Sequence, residues 1–381
     1  MFEYVFFLSS FIVMYVYCGY PIMLSLLSCL FSKPVRQGHL EPKVTIIITA
    51  YNEEKNIRQR IENCMDLNYP KEKLEIIVAS DCSTDNTDKI VKDYKMAGVV
   101  LCRLKSRGGK TLAQNTAVLI ATGEIIIFTD ATTHCRGNMI VSIVRNFADE
   151  EVGCVAGRLK YYSEGSLDSS VSGGEGLFWR YENFMKKKES LVSSIIGADG
   201  PLYAIRKGLY VPLRDYVISD LVVPLKIVSQ RYRSVYEPNA IALEKSTTLS
   251  KSEIKYRCRV VLRGCRGIWE VKELLNPFKY GIFTLQIFSH KLLRWFVPIL
   301  LVLAYISNVC LVDKHILYTL FYVMQSVFYL FALIGYGLER KGKNVRLFAT
   351  PFYFCIANLG VLWGLALFFS GRKLITWDTS R

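Results

Sequence analysis

Four runs of this chain carry no charged residue over lengths that cross a bilayer, and they lie only towards its two ends: Val5 to Phe31, Phe296 to Val312, Ile316 to Leu338 and Phe348 to Phe369. At about 1.5 Å rise per residue, roughly 17–25 apolar residues span the hydrocarbon core. Everything that must fold in water is therefore confined to the middle of the chain. The first run follows Glu3 rather than a basic region and is too long for a cleavable leader, so it reads as a membrane anchor. Lys33, Arg36 and Lys43 follow it and mark that flank as cytosolic. Ser289 to Trp295, with His290, Lys291 and Arg294, reads as an interfacial anchor ahead of the second run. Asp313-Lys314-His315 makes a tight hairpin, and the basic loop Glu339 to Arg346 is expected in the cytosol. Four full crossings from an outside amino terminus would leave the basic tail outside, against the positive-inside tendency. The last run is therefore either a span or a re-entrant segment.

From Lys43 the pattern switches to strand-helix alternation. Apolar strands are expected over Val44–Thr49, Leu74–Ala79, Val99–Leu104, Ile125–Thr129 and Val152–Tyr162. Helices are expected between them, over Ile57–Met65, Asn86–Met96, Thr111–Ala121 and Gly137–Glu150. Strands separated by helices of this length imply right-handed crossovers and a parallel sheet.

Acids recur just past the ends of these strands. The first ends in Ala50-Tyr51-Asn52-Glu53, the second in Ser80-Asp81 and the fourth in Asp130-Ala131-Thr132. In open α/β sheets, ligands bind beyond the carboxyl ends of the strands. Taken alone, Asp130 reads equally as a cap or as a hard ligand for a divalent cation holding a diphosphate; the neighbouring acids favour the ligand. No G-x-G-x-x-G follows the first strand and no Walker loop is present, so a dinucleotide or P-loop site is excluded. Metal and side chains would have to hold phosphates instead.

Composition narrows the partners. The net charge of +15 suits nucleic acid, anionic lipid or an anionic substrate. No zinc-finger or RNA-recognition spacing appears, so nucleic acid is not expected. The 11 cysteines include no C-x-x-C pair and read as reduced thiols, and adjacent His134 and Cys135 read as loop residues rather than a metal site.

Later segments add further candidates. Gly173 to Glu189 reads as a packing helix rich in aromatic and basic residues. Gly197-Ala198-Asp199-Gly200 suggests a tight turn close to a ligand. Asp220 opens an apolar helix, as a cap or as a general base. Glu244 ends the strand-like run Ala240–Leu243. Arg259, Arg263 and Arg266 share a helix face within Lys255–Glu270, which is either a solvated or lipid-facing basic face or a diphosphate clamp.

Read together, Thr49-Ala-Tyr-Asn-Glu53, Ser80-Asp81-Cys-Ser-Thr-Asp85, Gly108-Gly-Lys110 with Asn115, Thr129-Asp-Ala-Thr132, Gly197-Ala-Asp-Gly200, Ser219-Asp220 and the Arg263–Trp269 segment resemble family 2 glycosyltransferases. The resemblance is to the membrane-bound group related to hyaluronan, chitin and cellulose synthases. It implies a GT-A fold: an α/β, Rossmann-like, mostly parallel sheet with helices on both faces, here joined to transmembrane α-helices. It also implies inverting transfer from a nucleotide-diphospho sugar, such as a UDP-sugar, to a glycan or lipid-linked acceptor in cell-surface polysaccharide biosynthesis. Carried over by position, Ala50, Tyr51, Glu53, Asp81, Lys110 and Asp130 would bind the donor, with Asp130 holding Mg2+ or Mn2+. Asp199 and Gly200 would line the acceptor site, Asp220 would be the catalytic base, and Arg263 and Arg266 would bind the diphosphate.

The expected organisation is an amino-terminal membrane helix (1–32), a cytosolic catalytic domain (40–275), an interfacial helix with carboxyl-terminal membrane helices (278–371) and a basic tail (372–381). Together these make a multi-pass protein of the plasma or inner membrane, in contact with lipid. Three features depart from the family pattern. Thr132 stands where a second metal-binding acid is usual, Ser219 precedes the base where an acid is usual, and Arg263-Gly-Cys-Arg266-Gly267 replaces the Q-x-x-R-W element of processive synthases. The alternatives are a catalytically inactive scaffold that binds nucleotide sugars and a transporter subunit.

Overall fold

The computed structural model describes residues 1–162, 173–245, 250–343 and 345–374. Its strands are β1 (Val44–Ala50), β2 (Leu74–Ser80), β3 (Val99–Arg103), β4 (Ile125–Asp130), β5 (His134–Cys135), β6 (Val152–Tyr162), β7 (Leu202–Arg206) and β8 (Arg233–Lys245). They form one sheet in the order β3-β2-β1-β4-β7-β6-β8-β5.

β1 is buried along its whole length, as its apolar run requires of a central strand. Val44, Ile46 and Ile48 pack with Ile57, Ile61 and Met139 on one face of the sheet, while Ile47 packs with Ile77, Phe128 and Ala113 on the other. The alternation follows the two-residue period of a strand. Both faces are thereby covered, the layering expected of an α/β domain.

The parallel expectation holds for β3, β2, β1 and β4, and for β6 against β8. The sheet as a whole is mixed, because β7 runs antiparallel to both β4 and β6, and β5 antiparallel to β8. β7 leaves the turn at Asp199 and Gly200, which lies beyond the carboxyl end of β4, so it can only run back through the sheet. Several predicted elements change length, the helix expected over Asn86–Met96 being Thr87–Asp93 followed by a 3-10 turn. The helix expected over Gly137–Glu150 is Met139–Val144 followed by a 3-10 turn, and the short strand-like run at 240–243 belongs to the thirteen-residue β8.

Among the described residues, four helices are long and apolar enough to cross a membrane: Phe2–Leu30, Ile282–Val309, Ile316–Arg340 and Arg346–Phe369. The expected interfacial anchor at Ser289–Trp295 lies inside the second of them, with Ser289 and His290 buried and Lys291 and Arg294 half-buried. His290 Nδ1 is 2.7 Å from Glu189 Oε1, Arg294 donates to Glu182, and the Tyr20 hydroxyl donates to Glu189 at 3.0 Å. Both acids belong to the Gly173–Val192 helix. Charged groups on an apolar helix are retained when they are paired, and here the partner lies about a hundred residues earlier in the chain. This network clamps the Gly173–Val192 helix, one wall of the cleft described next, onto two membrane-type helices.

Candidate active site

Parallel register brings the strand ends to a common rim: Ala50 lies opposite Ser80, and Thr49 opposite Asp130. Past β1 the chain turns sharply, with Asn52 at φ 54°. Asn can adopt this left-handed conformation because its short amide bonds locally, and Asn52 Oδ1 accepts from Thr84 N at 2.8 Å. Glu53 N donates to Thr87 Oγ1 at 2.8 Å. The Arg107 guanidinium sits 3.9 Å from the centre of the Tyr51 ring, a cation–π contact at the mouth of the cleft.

Asp81 accepts from Gly108 N at 2.7 Å and from Gly109 N at 3.0 Å, at the start of the Gly109–Ile120 helix. Burial pushes its carboxyl above the usual range, against the pull of the two glycine N–H groups and Arg107. This clasp anchors the residue that follows. Lys110 Nζ donates to Asp130 Oδ1 and, at 3.3 Å, to the Gly200 carbonyl. Thr49 Oγ1 also donates to Asp130 Oδ1, at 3.2 Å.

Across the cleft stand Asp199 and Asp220. Asp199 is ion-paired with Lys186, and both side chains are buried. Its second oxygen, Oδ2, has no partner among the described residues. Asp220 lies in the first turn of the Ser219–Ser229 helix. Burial raises its pKa, and the charges of Asp130 and Asp199 raise it further while Lys110 and Arg263 oppose them. Gly200 makes this crowding possible. A Cβ there would lie 2.8 Å from Asp220 Oδ2 and 3.3 Å from Lys110 Nζ. Lys110 thus bridges Asp130 and Gly200, Gly200 lies against Asp220, and Asp81 holds the turn that delivers Lys110.

The two arginines sit differently from the clamp expected of them. Arg263 donates to Thr111 Oγ1 at 3.1 Å, to Asp215 O at 2.9 Å and to Val217 O, beneath the start of the Asp220 helix. Burial lowers its pKa to about 10. Arg266 Nε donates to Arg372 O at 3.1 Å, so it fastens the segment after the last apolar helix. Sequence reading missed Lys186, which sits in a run of three lysines that looks like a solvated surface.

Asp130 presents carboxylate oxygens, the donor type that hard cations take, and a cation, the Lys110 ammonium, already rests on one of them. No group of three or more His, Cys, Asp or Glu side chains forms a metal cage among the described residues. That fits an open site completed by phosphate oxygens of a substrate, the usual habit of Mg2+.

The sequence profile of glycosyl transferase family 2 matches residues 45–209. A probable glycosyltransferase of Bacillus subtilis, YdaM, is 34% identical over 125 residues, which is 31% of this chain and 30% of that protein. A beta-monoglucosyldiacylglycerol synthase of Nostoc is 35% identical over 123 residues, 31% of this chain and 26% of its own length. A poly-beta-1,6-N-acetyl-D-glucosamine synthase of Staphylococcus aureus is 25% identical over 204 residues, 52% of this chain and 48% of its own length. The chain thus spans less than half the length of these curated relatives. Among solved structures, a mannosyltransferase from Pyrobaculum calidifontis, in complex with GDP-Man and Mn2+, shares the fold with a TM-score of 0.70. The likeness covers 95% of this chain and 99% of that one, at 20% identity.

Proposed function

We propose, from the premise that residues 45–209 of this chain are a family 2 glycosyl transferase domain, that the protein transfers a sugar from a nucleotide-diphospho sugar to an acceptor hydroxyl with inversion at the anomeric carbon. The observation that carries the reading is Asp220: a carboxylate made more basic by burial, across Gly200 from the Lys110–Asp130 pair.

In this reading each residue has a role. A sugar hydroxyl is a poor nucleophile near neutral pH, and a positioned base contributes about 10²–10⁴-fold. Asp220 takes the acceptor proton as the hydroxyl oxygen bonds to the anomeric carbon. The bond from that carbon to the diphosphate oxygen breaks, and its electron pair leaves on the diphosphate. Lys110 stands where that charge develops and stabilises it. A divalent cation, Mg2+ or Mn2+, would be held through Asp130 and would neutralise leaving-group charge. Tyr51, Glu53 and Asp81 form the donor's nucleoside end. Asp199, with one oxygen unpartnered, faces the acceptor side. Arg263 supports the Asp220 helix from below, so the diphosphate falls to Lys110 and the cation.

The donor we favour is a UDP-sugar, and the acceptor a glycan or lipid-linked sugar of the cell surface. Helices apolar and long enough to cross a membrane support transfer at a membrane, and the basic flanks at Lys33–Lys43 and 339–346 favour a cytosolic catalytic domain. The test is a screen of UDP-, GDP- and dTDP-sugars with purified protein in lipid, with and without Mn2+. Metal-stimulated release of nucleoside diphosphate from one donor supports the reading. Nucleotide binding without turnover of any donor contradicts it and leaves a scaffold.

A further inference from the structure

The loop after β4 carries one acid where the family pattern has two, since Thr132 follows Asp130-Ala131. The fold brings a carboxylate to that position from another strand. Thr132 Oγ1 and Thr133 Oγ1 donate to the same oxygen, Glu244 Oε1, at 3.3 and 3.4 Å. Glu244 is the penultimate residue of β8 and only 3% exposed. Its place is fixed by pairing. β5 begins directly after Thr133 and sets His134 against Leu243 and Cys135 against Ala242, while β6 holds β8 from the other side through Tyr161 and Glu244. One hydrogen bond therefore separates the side chain at 132 from the Glu244 carboxylate. The Glu244 carboxylate thus stands beside the side-chain position at which the family pattern has its second acid.

We propose that Glu244 supplies the second carboxylate of the divalent-cation site, in place of the acid missing at position 132. Resting on the reading of Asp130 as the cation's anchor, it deepens the proposed function. The site is then assembled from β4 and β8, with hydroxyls of Thr132 and Thr133 orienting the β8 carboxylate as outer-sphere partners do. Hard oxygen donors of this kind suit Mg2+ or Mn2+ and not a thiophilic metal.

The test measures Mn2+ binding directly, by the loss of free-ion electron paramagnetic resonance signal, on the full chain with saturating UDP or GDP. Three proteins are compared: wild type, Glu244→Gln, and the double variant Thr132→Asp with Glu244→Gln. The single variant is expected to bind Mn2+ at least ~10-fold more weakly, since loss of a ligand should cost no less than loss of one of its outer-sphere partners, with metal-free nucleotide binding unchanged. The double variant, which returns the acid to the loop, is expected to recover most of that loss. Wild-type Mn2+ affinity in Glu244→Gln overturns the proposal. So does a loss that persists in the double variant alongside a lowered melting temperature, because Glu244 is then only a clip for the threonine turn. A wild-type chain that binds nucleotide but no Mn2+ overturns the reading of Asp130 and this inference with it, while one that binds neither UDP nor GDP counts against the transferase reading itself.

Discussion

The Lys110 ammonium donates at once to the Asp130 carboxylate and to the carbonyl of Gly200, and so ties the end of β4 to the turn that opens β7. Three segments far apart in sequence meet at that one nitrogen. Replacing Lys110 by Met removes the positive charge where the leaving diphosphate becomes more negative. Loss of one such preorganised donor costs about 10²–10³-fold in turnover. Steady-state kinetics on the Lys110→Met protein should show that loss mainly in kcat. A change confined to KM would assign Lys110 to ground-state binding alone.

Gly200 gives a second test, of crowding rather than charge. A methyl group there would lie 2.8 Å from Asp220 Oδ2 and force the carboxylate aside. Displacement of a reacting group by about 1 Å can cost ~10²-fold. Gly200→Ala is expected to lose activity on that scale, with a melting temperature close to wild type.

Lys186 and Asp199 form a buried pair with side-chain exposures of 7% and 9%. Removing one partner of such a pair typically costs about 3–5 kcal/mol, because the other charge is left buried alone. Lys186→Met should therefore lower the thermal midpoint substantially. The double variant Lys186→Met with Asp199→Asn should regain much of it, while acceptor use remains impaired.

The pH dependence follows from Asp220. Burial raises its pKa in the folded chain, so the base is protonated and idle at pH values where an ordinary aspartate, near about 3.9, is already ionised. Activity should rise with pH along an acid limb displaced upward. Lys110 opposes the shift, so the residual activity of Lys110→Met should show that limb at still higher pH. Stability runs the other way. A folded pKa above the unfolded one means the contribution of Asp220 to stability is present at low pH and is lost as pH rises through the folded value. Asp220→Asn should therefore melt no lower than wild type at neutral pH.

The rim of the cleft was legible because its signal is local. An apolar run followed by an acid reads as a strand and its end, and Asp81 and Asp130 fall there, while Asp220 opens a helix as the apolar run after it suggests. Lys110 was legible through its position after two glycines. What escaped depends on contacts distant in sequence. The five residues of β7 are too few to show a period, and their direction is set by the turn before them. Lys186 opens a run of three lysines of which the next two are more exposed, and only the fold turns it onto Asp199. Arg263 was placed in a clamp by helical spacing, which fixes a face but not what the face meets; it meets the carbonyls of Asp215 and Val217. The pairing of His290 and Arg294 was not legible because their partners, Glu189 and Glu182, lie on a helix about a hundred residues away.

The central claim is that Asp220 is the base at a sugar-nucleotide pocket shared with Asp81 and Asp130. It is tested most directly by measuring donor binding and sugar transfer side by side for wild type and Asp220→Asn, using the donor found by screening. The account predicts donor affinity within about threefold of wild type and transfer reduced by ~10²-fold or more. Transfer at the wild-type rate in Asp220→Asn would contradict it.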